Sequence, residues 1–269
     1  MPEFPELDVV VVNYNSGEGL KKCLNHFMQG VEVELNIYVV DNHSNDESLK
    51  FFDRSYQTIE LVKNPSNLGF AKACNQGSKL GRATQLAFIN PDCFINQRQL
   101  AQLSAGLSSN QTAGLVGCRV LNDDSSLQAA SRRRLPTFWR TFWHLTGLSK
   151  WRLFKGINIK DSGKFTTVQT VEAVNGACIL MKREAFEQLG GFDEGYPLHF
   201  EDLDLFTRLQ TEGFSIIYDS SVEVKHLKGQ SIQDNQKIKT WKRAGLLRYF
   251  SKHRPRWEYL IAKWLLGSK

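Results

Sequence analysis

Four times in the first 95 residues, a short apolar and β-branched run ends abruptly in a cluster of polar residues. The apolar runs are residues 7–12, 35–40, 59–62 and 86–89. Continuous apolar runs of this length are typical of strands buried on both faces of a parallel sheet. Helical patterns separate them at 20–27, 49–52 and 71–80. The order β-α-β-α-β-α-β predicts an α/β fold with a mostly parallel, Rossmann-like sheet flanked by helices.

The polar clusters that end the four runs indicate where a ligand binds. They are residues 13–16, 41–44, 64–69 and 90–92. Ligands of open α/β sheets bind at the carboxyl ends of the strands, so these clusters predict a nucleotide site. The sequence has neither GxGxxG after the first run nor GxxxxGK[ST], which argues against a dinucleotide dehydrogenase and a P-loop enzyme. Without a glycine cradle a diphosphate needs another counter-charge, usually a divalent metal on carboxylate oxygens.

Bulk properties limit the partners and the compartment. The 269 residues carry a net charge of +6, which suits an anionic partner such as a phosphorylated ligand, an anionic membrane surface or nucleic acid. The five cysteines are scattered without a CxxC motif, as in a reduced cytosolic protein. The acidic N-terminus does not resemble a signal peptide, and no apolar run reaches the roughly 20 residues of a membrane span.

The second half of the chain continues the alternation of strands and helices. The pattern predicts strands at 114–120, 171–174, 177–181, 214–218 and 222–224, and helices at 100–107 and 182–189.

Residues 190–208 combine a Gly pair, a Pro and several acids. Glu201, Asp202 and Asp204 fall where this loop becomes a helix, a position at which carboxylates are stabilised by free N–H groups. Asp204 is interpreted as the surface partner of Arg208 at i,i+4. The crowding of the acids with His199 and aromatic residues favours a concave site with a general base.

Residues 132–155 are basic, aromatic and interrupted by Gly and Pro. Two interpretations carry equal weight. One is a solvated, loosely structured insertion, and the other is a flap near a lipid-linked or phosphorylated acceptor.

Residues 236–269 hold ten Lys and Arg residues against the single acid Glu258. Large apolar residues recur there at helical spacing, namely Trp257, Leu260, Ile261, Trp264 and Leu265. This pattern predicts an amphipathic helix, and we favour binding to an anionic membrane surface over docking on the protein core.

Several of these motifs, occurring in one order, resemble those of family 2 glycosyltransferases with the GT-A fold. They are VVVVNYNS at 9–16, VVDNHSND at 39–46, NPSNLGFAKACNQG at 64–77, FINPD at 88–92, and GGFDE at 190–194 followed by EDLD at 201–204 and His226. Within that family, the sequence is most similar to bacterial rhamnosyltransferases of O-antigen and cell-surface polysaccharide synthesis. The resemblance covers about residues 7–230.

The resemblance implies a nucleotide-sugar site in the first half of the sheet. It assigns contacts with the base and ribose to Asn13, Tyr14, Asn15 and Asp41, and the shape of the nucleotide pocket to Asn67, Gly69, Phe70 and Asn75.

The resemblance also implies a divalent metal, Mg²⁺ or Mn²⁺. Asp92 matches the metal-binding acid of the family's Asp-x-Asp motif, and His226 matches a later metal position. Asn90 replaces the first acid of that motif and is assigned to the nucleotide-sugar site, so one carboxylate of the motif faces the metal.

For catalysis the resemblance assigns Asp202 as general base and Glu201 as its support. A single base with direct displacement gives inversion at the anomeric carbon. The implied reaction moves a sugar, with L-rhamnose from dTDP-rhamnose favoured, onto a lipid-linked saccharide at the inner face of the cytoplasmic membrane. The predicted glycosyltransferase domain spans 1–235, divided into a nucleotide-sugar-binding half (1–95) and an acceptor half (96–235), and the tail spans 236–269.

Three alternatives stay open from the sequence. A transferase of the same fold could use a UDP-hexose or a UDP-N-acetylhexosamine. A non-catalytic nucleotide-sugar-binding protein is supported by Asn90 and opposed by the presence of Asp202. A nucleic-acid-binding protein fits the charge, but the basic residues occur in 132–155 and the tail without an RNA or DNA motif, so no nucleic-acid partner is expected.

Overall fold

The computed structural model describes residues 6–30, 33–52, 56, 58–148, 155–159, 168–196, 198–227 and 235–267. In these ranges the strands are β1 (Glu6–Asn13), β2 (Glu34–Asp41), β3 (Ile59–Lys63), β4 (Gln85–Ile89), β5 (Cys93–Phe94), β6 (Ala113–Leu121), β7 (Arg132–Arg133), β8 (Val168–Val171), β9 (Ala173–Val174), β10 (Cys178–Lys182) and β11 (Ser215–His226). The helices are α1 (Gly19–Phe27), α2 (Phe70–Ser78), α3 (Gln97–Ser109), α4 (Phe138–Leu145), α5 (Arg183–Gln188), α6 (Glu201–Thr211), α7 (Asn235–His253) and α8 (Arg256–Gly267).

One mixed sheet organises the fold, in the order β3-β2-β1-β4-β10-β6-β11-β5, with β8 also paired to β11. The four N-terminal strands are mutually parallel, as their mostly apolar sequences predict. Strand β10 runs antiparallel between β4 and β6 and joins the two halves of the sheet. The predicted α/β class with a mostly parallel sheet is confirmed.

Helices cover both faces of the sheet, so strand residues are buried on both sides. On one face the β1 side chains Val9 and Val11 pack with Leu20 and Leu24 of α1. On the other face Val10 lies in a second core with residues of α2, α5 and α6. All five cysteines are buried free thiols.

Two secondary-structure predictions are wrong. Residues 49–51 form turns instead of a helix, because the ten residues around them close a compact Ser- and Asp-rich loop after β2. The two strands predicted at 214–218 and 222–224 are one strand, β11 (Ser215–His226). Its register with β6 shifts between Asp219 and Glu223, so the polar break at Asp219–Ser221 is a bulge rather than a chain reversal.

The described part of the tail consists of two helices. Helix α7 places Leu246, Tyr249 and Phe250 in the second core, so part of the tail is integral to the packing of the domain. Helix α8 buries Glu258 and Ala262, while Trp257 and Trp264 on its other side are 49% and 74% exposed. No helix among the described residues has the length and apolar character that a membrane span requires.

Candidate active site

The carboxyl ends of β1 and β2 meet in a network of hydrogen bonds. The Asn13 amide donates to Asp41 Oδ1 at 2.7 Å and to Ser48 Oγ at 2.9 Å, and Asn13 is fully buried. The side chain of Asn13 therefore holds the two loops together, and direct contact with a ligand would require the network to open. Tyr14 and Asn15, which follow it, are partly exposed at the sheet edge.

The next loop along the edge is organised by Asn42, a residue that the sequence analysis did not single out. Its amide donates to Asn67 Oδ1 at 2.9 Å and to the Gly69 carbonyl at 3.2 Å. Gly69 has a φ of 86°, a left-handed conformation that glycine adopts without strain, and it caps α2 just before Phe70. Asn67 and Gly69 thus set the shape of a loop at the predicted nucleotide pocket.

Asn75 joins this nucleotide edge to the Gly190–Gly191 loop. Its amide donates to the Phe192 carbonyl at 2.9 Å, and its Oδ1 accepts from the Phe192 N–H at 2.8 Å. A side chain at Gly191 would meet Asn75 Oδ1 at 2.6 Å, so only glycine permits this approach. Asn75 is buried, and its contacts in the structure are with protein.

Asp92 and His226 lie together, as the metal prediction requires. His226 Nε2 is 3.1 Å from Asp92 Oδ1 and 3.4 Å from the Asn90 amide nitrogen. The Leu227 N–H donates to the Asp92 carbonyl at 3.0 Å, which fixes the end of β11 against the β4 loop. Within the described ranges no cluster of three or more His, Cys, Asp or Glu side chains suited to a metal ion is present. Phosphate and water commonly complete the ligand set of Mg²⁺.

Gln128 sets the orientation of the His226 ring. The Gln128 amide donates to the His226 carbonyl at 2.8 Å and to the Leu121 carbonyl at 3.3 Å, so its Oε1 faces His226 Nδ1 at 3.3 Å. Nδ1 can donate to this oxygen, which leaves Nε2, on the side of Asp92 Oδ1, as the ring nitrogen that is available to a cation. Their 3.1 Å separation is close to the roughly 3 Å between adjacent oxygen or nitrogen ligands of an octahedral Mg²⁺. These residues fit a divalent cation.

The acidic pair lies at the first turn of α6. His199 and Phe200, just before it, have φ values of 66° and 73°, a strained region for residues other than glycine. Arg133 forms an ion pair with Asp202 Oδ2, while Asp202 Oδ1 accepts from the Leu203 N–H at 2.8 Å. The Arg133 guanidinium also donates to the Val174 carbonyl, so it fixes the position of the Asp202 carboxylate.

Glu201 is chemically distinct from its neighbour. Burial, reinforced by the negative charge of Asp202, raises the pKa of Glu201 to about 8. Its Oε2 has no hydrogen-bond partner among the described residues. At neutral pH the pair therefore consists of a protonated Glu201 and an Asp202 that faces a guanidinium.

We predict that Glu201→Gln stabilises the protein at pH 8 and not at pH 4. The folded chain keeps the Glu201 proton up to about pH 8, whereas the unfolded chain releases it near the ordinary value of 4.5. Stability therefore falls as pH rises through this window, and a side chain that cannot ionise removes the loss. Urea unfolding should show a gain of about 4 kcal/mol at pH 8, at 1.36 kcal/mol for each of the roughly three pH units over which stability falls. An equal difference at both pH values would contradict the raised pKa.

A short polar chain connects the Asp92–His226 pair to Asp202. The Asn175 amide donates to Gln128 Oε1 at 3.2 Å, the same oxygen that faces His226. Gly176 follows Asn175 and touches Asp202, because a Cβ there would lie 2.9 Å from Asp202 Oδ2. The predicted metal ligands and the predicted base therefore share one supporting loop.

The interpretation of Asp204 as a surface residue is wrong, although its pair with Arg208 is present at 2.7 Å. Asp204 is fully buried, because α7 covers this turn of α6. His253 Nε2 lies 2.7 Å from Asp204 Oδ1 and the Tyr196 hydroxyl donates to the same oxygen at 3.2 Å. Asp204 thus holds α7 against α6 and is not a solvent-exposed residue of the helix surface.

A cavity of about 500 Å³ opens beside the acidic pair. Among the described residues its walls come from α4, α6, α7 and α8, together with 130–133, 157–158 and 199–200. The described part of 132–155 is therefore folded as β7 and α4 and lies at the cavity, in keeping with the flap interpretation and not with a loosely structured insertion. Residues 149–154 of that segment lie outside the described part.

Sequence reasoning missed Arg133, Gln128 and Asn42. Arg133 is one of three consecutive arginines, and nothing local distinguishes it from its neighbours. Gln128 lies in a polar stretch without a recognisable motif. Asn42 follows Asp41 in the cluster 41–44, which the sequence analysis assigned to the ligand-binding edge. Its position in that cluster was the signal that could have identified it.

Comparison with known sequences gives a family match over most of the chain. Residues 8–190 match the glycosyl transferase family 2 profile. The chain is 28% identical over 242 residues, 84% of its length and 77% of the relative's, to N-acetylglucosaminyl-diphospho-decaprenol L-rhamnosyltransferase from Mycobacterium tuberculosis. It is 26% identical over 144 residues to rhamnosyltransferase WbbL from Escherichia coli K12, covering 52% of this chain and 51% of that one.

Solved structures with a similar fold are also found. Mannosyltransferase PcManGT from Pyrobaculum calidifontis, in complex with GDP-Man and Mn²⁺, superimposes with a TM-score of 0.62 at 18% identity, covering 99% of this chain and 71% of that one. GalNAc-T7 with UDP, GalNAc and Mn²⁺ gives a TM-score of 0.66 at 17% identity, covering 92% and 48%. These neighbours establish the likeness of fold, which is the predicted GT-A fold.

Proposed function

The chain belongs to glycosyl transferase family 2 and is a glycosyltransferase, and from this premise we propose that it transfers L-rhamnose from dTDP-rhamnose to a lipid-linked saccharide with inversion. The relatives from Mycobacterium tuberculosis and Escherichia coli named as rhamnosyltransferases support the sugar. The reaction would serve cell-surface polysaccharide synthesis. The observation that carries the proposal is the position of Asp202, between the cavity and the loop that supports the Asp92–His226 pair.

The donor and its metal are proposed for the carboxyl edge of β1, β2 and β4. Asp92 and His226 would hold Mg²⁺ or Mn²⁺, and the metal would supply positive charge to the diphosphate. Asn67 and Gly69 would shape the nucleotide pocket, while Tyr14, on the exposed side of the edge, would contact the base or ribose. Mn²⁺ in two structural neighbours supports the choice of metal.

Asp202 is proposed as the general base. Its carboxylate would remove the proton of the acceptor hydroxyl as that oxygen attacks the anomeric carbon. The bond from this carbon to the diphosphate oxygen breaks in the same displacement, so dTDP leaves and the configuration inverts. Arg133 would position the carboxylate, and Glu201 would remain protonated beside it at neutral pH. The acceptor would approach through the cavity, whose walls include both acids.

The tail is proposed to bind an anionic membrane surface, which would place the enzyme at the inner face of the cytoplasmic membrane. The apolar side of α8 is exposed, with Leu260 50% and Leu265 47% accessible. Lys263 and Arg256 flank these residues on the same helix. Exposed Trp and Leu next to cations are typical of interfacial helices.

A thermal-shift panel tests the donor and the metal together. We expect dTDP-rhamnose with Mn²⁺ to raise the melting temperature more than UDP-glucose, UDP-N-acetylglucosamine or GDP-mannose, and each shift to shrink in EDTA. Asp92→Asn and His226→Ala should weaken the Mn²⁺-dependent part about tenfold or more in apparent affinity.

Glu184→Gln, an exposed acid on α5, is the matched control and should behave as the wild type. If a UDP-sugar raised the melting temperature more than dTDP-rhamnose, the donor would be the UDP-sugar and the proposed donor would be wrong. Equal shifts in EDTA and Mn²⁺ would refute the metal.

A further inference from the structure

Two consecutive residues in the left-handed conformation precede the acidic pair. They are His199 and Phe200, with φ values of 66° and 73°. Phe200 is the N-cap of α6, and its carbonyl accepts the Asp204 N–H at 2.9 Å. The direction in which α6 starts therefore depends on this turn. Non-glycine residues keep such a conformation only where the surrounding structure holds them in it.

Helix α7 supplies that surrounding structure. A Cβ at Gly245 would lie 2.9 Å from the His199 carbonyl oxygen and 3.1 Å from Cδ2 of Phe200, which is closer than a methyl group allows unless the helix or the turn shifts. One helical turn later, the ring centroids of Tyr249 and Phe200 are 6.2 Å apart. Tyr249 is itself fixed to α6, since its hydroxyl lies 2.8 Å from that of Thr207. Helix α7 thus covers the turn from Gly245 to Tyr249.

Glycine at position 245 is explained by this approach and not by the helix. Gly245 is buried in the middle of α7, where glycine makes a helix less stable than alanine does. The missing side chain leaves the space that the His199–Phe200 turn occupies. Gly106, in the interior of α3, is the contrasting case. Among the described residues beyond its own stretch of helix, no heavy atom lies within 4 Å of where its Cβ would be.

The turn carries Asp202, which follows Phe200 by two residues in the first turn of α6. Arg133 and Gly176 contact the Asp202 carboxylate itself, whereas α7 contacts the backbone that leads to it. A displacement of about 1 Å in a reacting group can lower a rate about a hundredfold. The distance between α7 and the turn therefore matters for the reaction as well as for the fold.

We propose that Gly245 is a positioning residue for the base. Its lack of a side chain lets α7 pack against His199 and Phe200, and this contact holds the turn that directs Asp202 toward the cavity. Gly245 itself does not line the cavity. The assignment rests on the proposed role of Asp202 as general base and adds to it a residue of the tail on which that role depends.

Hydrolysis of dTDP-rhamnose, with water in place of the acceptor hydroxyl, tests the assignment through the release of dTDP. We expect Gly245→Ala to lower kcat about tenfold to a hundredfold, because the added methyl group displaces the turn. The thermal shift produced by dTDP-rhamnose with Mn²⁺ should equal that of the wild type, since the Asp92–His226 pair and the Asn67–Gly69 loop lie outside this contact.

The same substitution in the Asp202→Asn background separates positioning from a general effect on the fold. If Gly245 acts through the Asp202 carboxylate, Gly245→Ala should lower the residual rate of Asp202→Asn by less than about twofold. Gly106→Ala is the matched control, and its kcat should equal that of the wild type without a lower melting temperature.

Phe200→Leu alters the same contact from the side of the turn and leaves α7 unchanged, so it serves if Gly245→Ala does not fold. It should lower kcat in the same direction, again with little further loss in the Asp202→Asn background. Wild-type kcat in a folded Gly245→Ala variant would overturn the positioning role, and so would an equal fold-loss in both backgrounds. Full activity of Asp202→Asn would instead refute the proposed general base, so the two failures are distinguishable.

Discussion

Replacing Asp202 with asparagine is expected to lower kcat about a thousandfold while leaving the fold and donor binding intact. A positioned general base contributes roughly 10²–10⁴ to the rate, and the amide cannot accept the acceptor proton. The side chains have the same shape, so the contact with the Leu203 N–H can persist and the Gly176 loop need not move. Steady-state transfer from the nucleotide sugar, with a thermal-shift measurement of donor binding, checks both parts.

Glu201→Gln is the comparison that identifies the base. Glu201 is buried and protonated at neutral pH, so removing its ability to ionise should cost far less activity than Asp202→Asn. Full activity of the Asp202→Asn variant would exclude Asp202 as the base. A greater loss in Glu201→Gln would transfer that role to Glu201.

The N-terminal half of the fold follows from its sequence because its central strands, β1 and β4, are buried on both faces. Residues 7–12, 35–40, 59–62 and 86–89 are mostly apolar, with at most one polar residue in each, and all four became strands in parallel register. The polar residues that end them also fell on one edge, since parallel strands carry their carboxyl ends to the same side. Asp92 and His226, 134 residues apart in the chain, were brought within 3.1 Å by the pairing of β5 with β11.

Other parts of the site depend on contacts that the local sequence does not encode. Arg133 differs from Arg132 and Arg134 only by its direction, which the pairing of β7 with β9 sets. Asp204 has the spacing of a helix-surface ion pair, and only the docking of α7 buries it. The loop after β2 contains aromatic residues at spacings that suit a helix, but Ser and Asp side chains there form local turns and bond to the loop after β1.

Two acids connect helix α7 of the tail to the chain around the acidic pair Glu201 and Asp202. Asp193, in the Gly190–Gly191 loop, pairs with Arg248 at 2.8 Å, and Asp204, in the first turn of α6, pairs with Lys252 at 2.6 Å. Helix α7 thus supports the loop before the acidic pair and the helix that begins with it. Lys242 and Arg243 lie two turns earlier on the same helix and face the cavity. Docking of α7 therefore positions the proposed acceptor site and the base together.

Asp204→Ala is expected to destabilise the protein by about 3–5 kcal/mol, the usual loss when one partner of a buried ion pair is removed. Burial alone would raise the pKa of Asp204, but hydrogen bonds from His253, Lys252 and Arg208 outweigh it and hold the pKa below its usual range. A depressed folded-state pKa stabilises the protein above the ordinary value of 3.8, and this contribution is lost as pH falls through the folded-state pKa. The loss in Asp204→Ala should therefore be full at pH 7 and shrink in acid.

Urea unfolding at pH 7 and at pH 3 measures this difference, and Asp193→Ala is the matched control. Asp193 pairs with the same helix through Arg248 and Lys252, but its partner Arg248 is 42% exposed, and such pairs contribute only about 0–1 kcal/mol. The control should therefore lose much less stability than Asp204→Ala. Equal losses at both positions would mean that Asp204 is no more than another surface contact. A loss at Asp204 that does not change between pH 7 and pH 3 would show that the stability does not depend on the charge of Asp204. Packing of Leu246, Tyr249 and Phe250 would then be the main contact that holds α7.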